Sequence, residues 1–308
     1  RNLERLCSFR SIVLFCLTYW YSLTKFMKKD RRSEEGVHLI YKNVGETPKE
    51  VIVRLKKENP EFEILPMTYA GRLDPMAEGL MVILSGESIF KKDEYLDFPK
   101  TYEFEIMWGF ETDTADLLGK IKNETNTISE KSFDQPTVLN RSKNAKNMIP
   151  KISEIKKHLR RSIGKFEQLY PIYSSRPVGG KSLFEWAREG RISEVDIPKH
   201  EVEIFDVKFM DRKVVRAGET LEKILEKIDL VKGDFRQEEI KKSWQKSMSR
   251  LNLDSWTVDK VEIEVSSGFY VRQFVTDLGR GLGTSALAYS IKRTKVGDMS
   301  LANIKSKG

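Results

Sequence analysis

Apolar and polar positions follow two periods from Val37 onward, and the two alternate along the chain. Leu39 to Val44 is predicted to be a strand, followed by Thr47-Pro48-Lys49-Glu50, a capping box with proline at the first helical position. The helix it opens turns Val51, Ile52 and Leu55 inward and stops near Asn59-Pro60. The unbroken apolar run Leu80 to Leu84 predicts a buried strand. Tyr102, Phe104, Ile106 and Trp108 alternate with Glu103, Glu105 and Met107, which marks a half-buried one. Near the end, Val261, Ile263 and Val265 repeat the two-residue period and Gly268 turns the chain. Val271, Phe274, Val275 and Leu278 then fall at helical spacing. Strands and helices mixed in this way permit an α/β protein of the α+β kind, in one domain spanning 37–308.

Three stretches interrupt the pattern. Residues 1–36 read as an extension carrying an uncharged run, Ser11 to Thr24, between Arg10 and Lys25. Fourteen residues fall short of the ~20 that cross a bilayer as a helix. No small-residue cleavage pattern follows, so the expectation is an extension or a start assigned too far upstream, with Met27 as the expected native beginning. A membrane-surface helix is the alternative for this run. Ser142 to Lys157, rich in Lys and Asn, reads as an exposed insertion. Asp211 to Lys260 reads as a second, charged and helix-prone, with Leu221, Ile224, Leu225 and Ile228 on one helical face. Its Lys241, Lys242, Lys246 and Arg250 would add basic surface.

Composition narrows the partners. The 308 residues suffice for a large core, and 54 Lys and Arg against 46 Asp and Glu leave a formal charge of +8. That modest excess favours an anionic partner such as nucleic acid. The only cysteines are Cys7 and Cys16 and the only histidines His38, His158 and His200, so no disulfide framework or Cys/His metal site is legible. The expectation is an intracellular, cytoplasmic protein that uses no metal.

The candidate chemistry begins at Tyr69-Ala70-Gly71-Arg72-Leu73-Asp74-Pro75-Met76-Ala77-Glu78-Gly79. This places a carboxylate on a loop bounded by glycine and proline that runs into the Leu80 strand. Gly71 allows close backbone approach and Pro75 stiffens the chain after Asp74. By itself the stretch also suits an ordinary surface turn. Further along, Gln168 to Ser175 and Lys181 to Gly190 mix aromatic, hydroxyl and cationic side chains, which can stack on bases and meet phosphate. A loop leading into an amphipathic helix would look the same.

The Gly71 to Gly79 segment resembles the signature G-x-L-D-P-x-A-x-G of the TruB family of tRNA pseudouridine synthases, matching at Gly71, Leu73, Asp74, Pro75, Ala77 and Gly79. Lys42, Gly45 and Thr47 resemble the family's first motif, with Asn43 in place of its proline. Lys100-Thr101-Tyr102, Gly109 and the run Thr112 to Asp116 resemble the strand whose tyrosine lies against the target base. Pro171-Ile172-Tyr173-Ser174 and Phe184-Glu185-Trp186-Ala187-Arg188-Glu189-Gly190 resemble the RNA-gripping thumb. Gly268, Tyr270, Val271 and Arg272 match the motif whose arginine pairs with the essential aspartate.

The resemblance implies a pseudouridine synthase fold, with a mixed, largely antiparallel central sheet flanked by helices. It implies isomerisation of an RNA uridine to pseudouridine by base flipping, without cofactor or metal. Asp74 would be the essential carboxylate, acting covalently or as a base, with Tyr102 stacked on the base and Arg272 aiming Asp74. Lys42, Tyr69, Gly71, Arg72, Tyr173, Lys181 and Arg188 would contact RNA, and Ile291 would pack beside the site. Tyr69 stands where the family usually has histidine, so base extrusion would differ there. Arg72-Leu73-Asp74 also resembles ribosomal RNA synthases. The partner is RNA, with uridine 55 of the tRNA T-loop as leading target and another structured RNA as runner-up. Neither a membrane nor an obligate protein partner is legible, and with about ten residues after Asp298 the expectation is a family member without a C-terminal PUA domain. A non-catalytic RNA-binding protein of the same fold is the competing reading.

Overall fold

The computed structural model describes residues 36–124, 149–251 and 254–304. The expectations for residues 1–35 and for 142–148 lie outside the described residues. In chain order the first elements are β1 (Val37–Lys42), α1 (Pro48–Glu58), β2 (Met67–Ala70), β3 (Ala77–Ser85), α2 (Lys92–Asp97) and β4 (Lys100–Trp108). Then come β5 (Phe110–Thr112), β6 (Ile121–Glu124), α3 (Ile152–Arg161), β7 (Gly164–Leu169), β8 (Pro177–Val178), β9 (Lys181–Ser182) and α4 (Leu183–Arg188). The last are β10 (Lys199–Arg216), α5 (Ala217–Asp229), α6 (Gln237–Leu251), β11 (Ser255–Val265), α7 (Val271–Gly281), β12 (Ala286–Val296) and β13 (Met299–Ser300).

A nine-stranded sheet runs in the order β1-β3-β12-β4-β11-β10-β7, with β2 added to β3 and β13 to β12. Every pairing is antiparallel except β3 with β12, so the expected mixed, largely antiparallel sheet is present. Alternation along each strand divides its side chains between two layers. On one face α1, α3 and α7 bring Val51, Leu55, Ile155, Leu159, Phe274 and Val275 against Phe104, Ile106, Val261 and Ile263. On the other, α5 and α6 bring Ile224, Ile228, Ile240 and Trp244 against Met107, Trp256, Val258 and Leu287. Among the described residues no helix is long and apolar enough to cross a membrane.

The capping box forms as its residues require. Thr47 Oγ1 accepts from the Glu50 amide at 3.3 Å, and Glu50 accepts from the Thr47 amide at 2.7 Å. β1 begins and ends two residues before the expected Leu39 to Val44, since Asn43 leaves the ladder to turn toward α1. Both insertions prove to hold core. From Ile152 the first is helix α3, whose Ile155 and Leu159 are buried. The second takes in the end of β10 and the start of β11, and the two helices between them cover a sheet face with Trp244 fully buried. Most of their charged side chains lie on the outward sides of amphipathic helices.

Candidate active site

Asp74 sits between β2 and β3 on a loop fixed by two buried cations. Lys42 Nζ, at the end of β1, donates to the carbonyls of Asn43 (3.0 Å), Pro75 (3.4 Å) and Ala77 (2.5 Å). Arg293, on β12, donates from Nε to Leu80 O at 2.8 Å and from its two terminal nitrogens to Arg72 O and Gly71 O at 3.3 Å. Gly71 holds φ +89, and a Cβ there would meet the Arg293 guanidinium at 3.3 Å. At Gly79 a Cβ would lie 2.3 Å from the Arg293 carbonyl, so glycine is what lets β3 approach β12.

Lys42, expected on the RNA backbone, is therefore corrected: it is fully buried and its three protons point at carbonyls of its own chain. Burial pushes the ammonium down to about 8, against the pull of Asp74 and Glu46.

Arg272 occupies the second position of α7. Its Nε donates to Asp74 Oδ2 at 2.7 Å and lies 3.7 Å from Asp116 Oδ2. Its terminal nitrogens donate to Thr114 O at 2.6 Å and Tyr173 O at 3.4 Å. Burial would depress this guanidinium, but Asp74 and Asp116 outweigh it and hold its pKa above the usual range. Gln168, also buried, fixes the start of α7 by bonding both the amide and the carbonyl of Tyr270. Asp74 itself is 39 % exposed while Arg272 is 4 % exposed, so the pair presents a carboxylate to solvent from a buried cation.

Asp116 is the functional candidate that sequence reasoning passed over, although it ends the Thr112 to Asp116 run. Its Oδ1 accepts from Thr114 Oγ1 at 2.6 Å and the Leu118 amide at 2.9 Å. Burial raises its pKa, opposed first by Arg272 and then by Thr114. Ala115, at φ +63, bends the chain so that Asp116 turns inward, and its carbonyl is tied to the Ala288 amide at 3.0 Å. A non-glycine residue in that conformation was the available signal only once the backbone was known.

The other expected positions divide into near and far. Tyr102 is buried in one apolar cluster with Ile291 and with Leu73, which adjoins Asp74 in sequence. Ile291 pairs with Phe104 and Ala77 across β4 and β3. Tyr173 reaches Arg272 through its carbonyl. Tyr69 lies half-buried under the Lys92 ammonium, 5.8 Å from its ring centre. Tyr270 lies close enough to Asp74 that burial and then that carboxylate raise its hydroxyl, with Arg72 among the opposing charges. Lys181 and Arg188 are not brought to Asp74. Lys181 bonds Glu189 and lies over Trp186, and Arg188 donates to the Asp234 carbonyl. Among the described residues no group of His, Cys, Asp and Glu could hold a metal ion.

The arrangement is an exposed carboxylate aimed by a buried arginine, with a tyrosine-bearing apolar wall behind it. The sequence profile of the TruB family pseudouridylate synthase N-terminal domain matches residues 61–148 and 137–224, and the chain belongs to that family. Similar proteins include tRNA pseudouridine synthase B of Lactobacillus delbrueckii subsp. bulgaricus, 30% identical over 84% of this chain and 67% of the relative. The Bordetella avium protein of that name is 27% identical over 87% of this chain and 83% of its own, and the Psychrobacter arcticus protein 27% over 90% and 58%. Among solved structures, a Cbf5-Nop10-Gar1 complex matches at 14% identity and a TM-score of 0.48, over 86% of this chain and 50% of that one. The chain thus spans between about half and four fifths of the lengths of the proteins it matches.

Proposed function

We propose that this protein converts a uridine in RNA to pseudouridine, with tRNA as substrate and uridine 55 of the T-loop as the target. The observation that carries the reading is the Asp74 to Arg272 pair at 2.7 Å, set by the loop that bears the family signature. An aspartate half open to solvent and held from beneath by a buried guanidinium through Oδ2 is oriented for attack or proton removal.

The reaction needs the glycosidic bond to break, the uracil to turn, and its carbon 5 to join the ribose. Asp74 serves either as a nucleophile that holds one fragment covalently or as the base that removes a sugar proton on a glycal path. Arg272 keeps the carboxylate aimed throughout. Tyr102, in the wall beside Leu73, stacks against the flipped uracil. Arg72 and Tyr69, both at least partly exposed at the loop, meet the flanking nucleotides. The cation-rich outer side of α3, with Lys156, Lys157, Arg160 and Arg161 exposed and outside any ion pair among the described residues, suits the phosphate backbone beyond them.

The test is incubation with unmodified tRNA and mapping of pseudouridine at single-nucleotide resolution. A new pseudouridine at the T-loop position, lost in Asp74→Asn protein that still binds tRNA, is expected. Binding without any modified uridine would instead make this an RNA-binding protein of the same fold.

A further inference from the structure

The loop between α5 and α6 reaches across to the two segments that hold Arg272, although in sequence it belongs to a helical pair far from every motif. Arg236 lies in this loop at φ +64, a left-handed backbone that arginine adopts only when its surroundings impose it. Its Nη1 donates to Asp113 Oδ2 at 2.7 Å, and its guanidinium lies 4.6 Å from the centre of the Tyr173 ring. The Tyr173 hydroxyl donates to the same Asp113 oxygen at 3.3 Å. The other carboxylate oxygen of Asp113 accepts from the Lys120 amide at 2.9 Å, closing the loop that contains Thr114 and Asp116. One carboxylate thus receives donors from three separate parts of the chain. Arg188 adds a second tie, donating to the Asp234 carbonyl with its guanidinium 6.0 Å from the Phe235 ring centre. Gln237 stiffens the loop from within, bonding the Phe235 amide and the carbonyls of Val231 and Gly233.

Asp113 adjoins Thr114, whose carbonyl accepts from Arg272, and the Tyr173 carbonyl accepts from Arg272 as well. The guanidinium that aims Asp74 therefore takes two of its acceptors from the two segments that Arg236 joins. We infer that Arg236 is a positioning residue for the reaction, clamping the 113–120 loop to the segment around Tyr173 so that Arg272 and Asp74 keep their alignment. The inference rests on the uridine-isomerase reading for its effect on turnover, and on geometry alone for its effect on order. A merely packing role for the loop would not require a strained arginine aimed at a carboxylate that is only 14 % exposed.

The experiment compares the parent with Arg236→Gly, Asp113→Asn and the double variant. Glycine accepts the left-handed backbone, so Arg236→Gly removes the guanidinium without adding strain. On unmodified tRNA, kcat is expected to fall about tenfold to a hundredfold in each single variant, as misplacement by an ångström can do, while KM stays within about threefold. Because the two groups act through one ion pair, the double variant should be no slower than the slower single one. Hydrogen exchange read without substrate should show the Leu118 and Lys120 amides losing protection in both variants while the central strands keep theirs. Parent kcat together with unchanged exchange would overturn the clamp, and so would a rise in KM alone, which would make Arg236 an RNA contact. If the parent modifies no uridine, the functional reading fails, and the exchange result still decides whether the clamp exists.

Discussion

Asp74 and Asp259 each meet an arginine at 2.7 Å, and these two pairs are built in opposite senses. In the Asp74 to Arg272 pair the arginine is buried and the carboxylate is 39 % exposed. In the Asp259 to Arg212 pair the carboxylate is fully buried and the arginine is 22 % exposed. Asp259 is also saturated. Arg212 grips both its oxygens, and Trp108 Nε1 donates to one of them at 2.7 Å. Arg212 further donates to the Pro150 carbonyl, fastening the chain before α3 to the sheet. On the proposed reading, the same two residue types thus make a reagent in one place and a rivet in the other. The difference lies in which partner keeps unsatisfied bonding capacity facing solvent.

Substituting each aspartate should separate the two roles. Asp74→Asn keeps shape but removes nucleophile and base, so turnover on tRNA should drop by about a thousandfold or more. Its melting temperature should stay close to the parent's and its RNA affinity should survive. Asp259→Ala should do the reverse, because it strands a guanidinium and a buried indole N–H. The expected loss is roughly 3–5 kcal/mol in chemical denaturation, with parent kcat per folded molecule. If Asp259→Ala lowers kcat while leaving stability intact, the division between reagent and rivet collapses.

Salt offers a gentler probe of the same contrast. Reversing Lys156, Lys157, Arg160 and Arg161 on α3 to glutamate should raise KM for tRNA and flatten the salt dependence of binding, by about 0.7–0.9 in logarithmic slope for each phosphate that is no longer neutralised. Changing the exposed pair Lys165 and Glu201 should alter neither. A parent-like slope in the reversed variant would move the RNA to another surface.

The smallest expected effect concerns the cations beneath the Asp74 loop. Lys42 holds its proton less firmly folded, at about 8, than unfolded, at 10.5. Between those values the unfolded chain binds more protons, so this group makes stability rise with pH across that window. Denaturation at pH 7.5 and pH 10 should show a rise larger by roughly 1–3 kcal/mol in the parent than in Lys42→Met, with Lys100 supplying a similar rise in both. An equal rise in the two proteins would show that Lys42 does not titrate between them.

Asp74 and Arg272 were legible because their neighbours are unusual residues in fixed spacing: glycines and a proline around one, Gly268 and Tyr270 before the other. Lys42 was misread because a lysine at a strand end normally reaches water, and only the packing of β1 against β3 turns it under the loop. Asp116 and Arg236 were not singled out because their importance comes from backbone conformations that no local pattern demands. The charged stretch from Asp211 to Lys260 looked like an appendage because amphipathic helices show their outer faces in composition and their inner faces only in packing.

Periodicity, caps and turn residues are properties of neighbouring positions, so the sequence by itself determined most of β1, the centres of β3, β4 and β11, the α1 cap and the start of α7, and it singled out Asp74 as the candidate carboxylate. What lies 198 residues apart, as Asp74 and Arg272 do, is joined only when the sheet sets β3 beside β12 and α7 against β4. Burial then chose which member of each ion pair would face water. That choice depends on the dielectric and the donors surrounding a side chain, and tertiary structure alone supplies them.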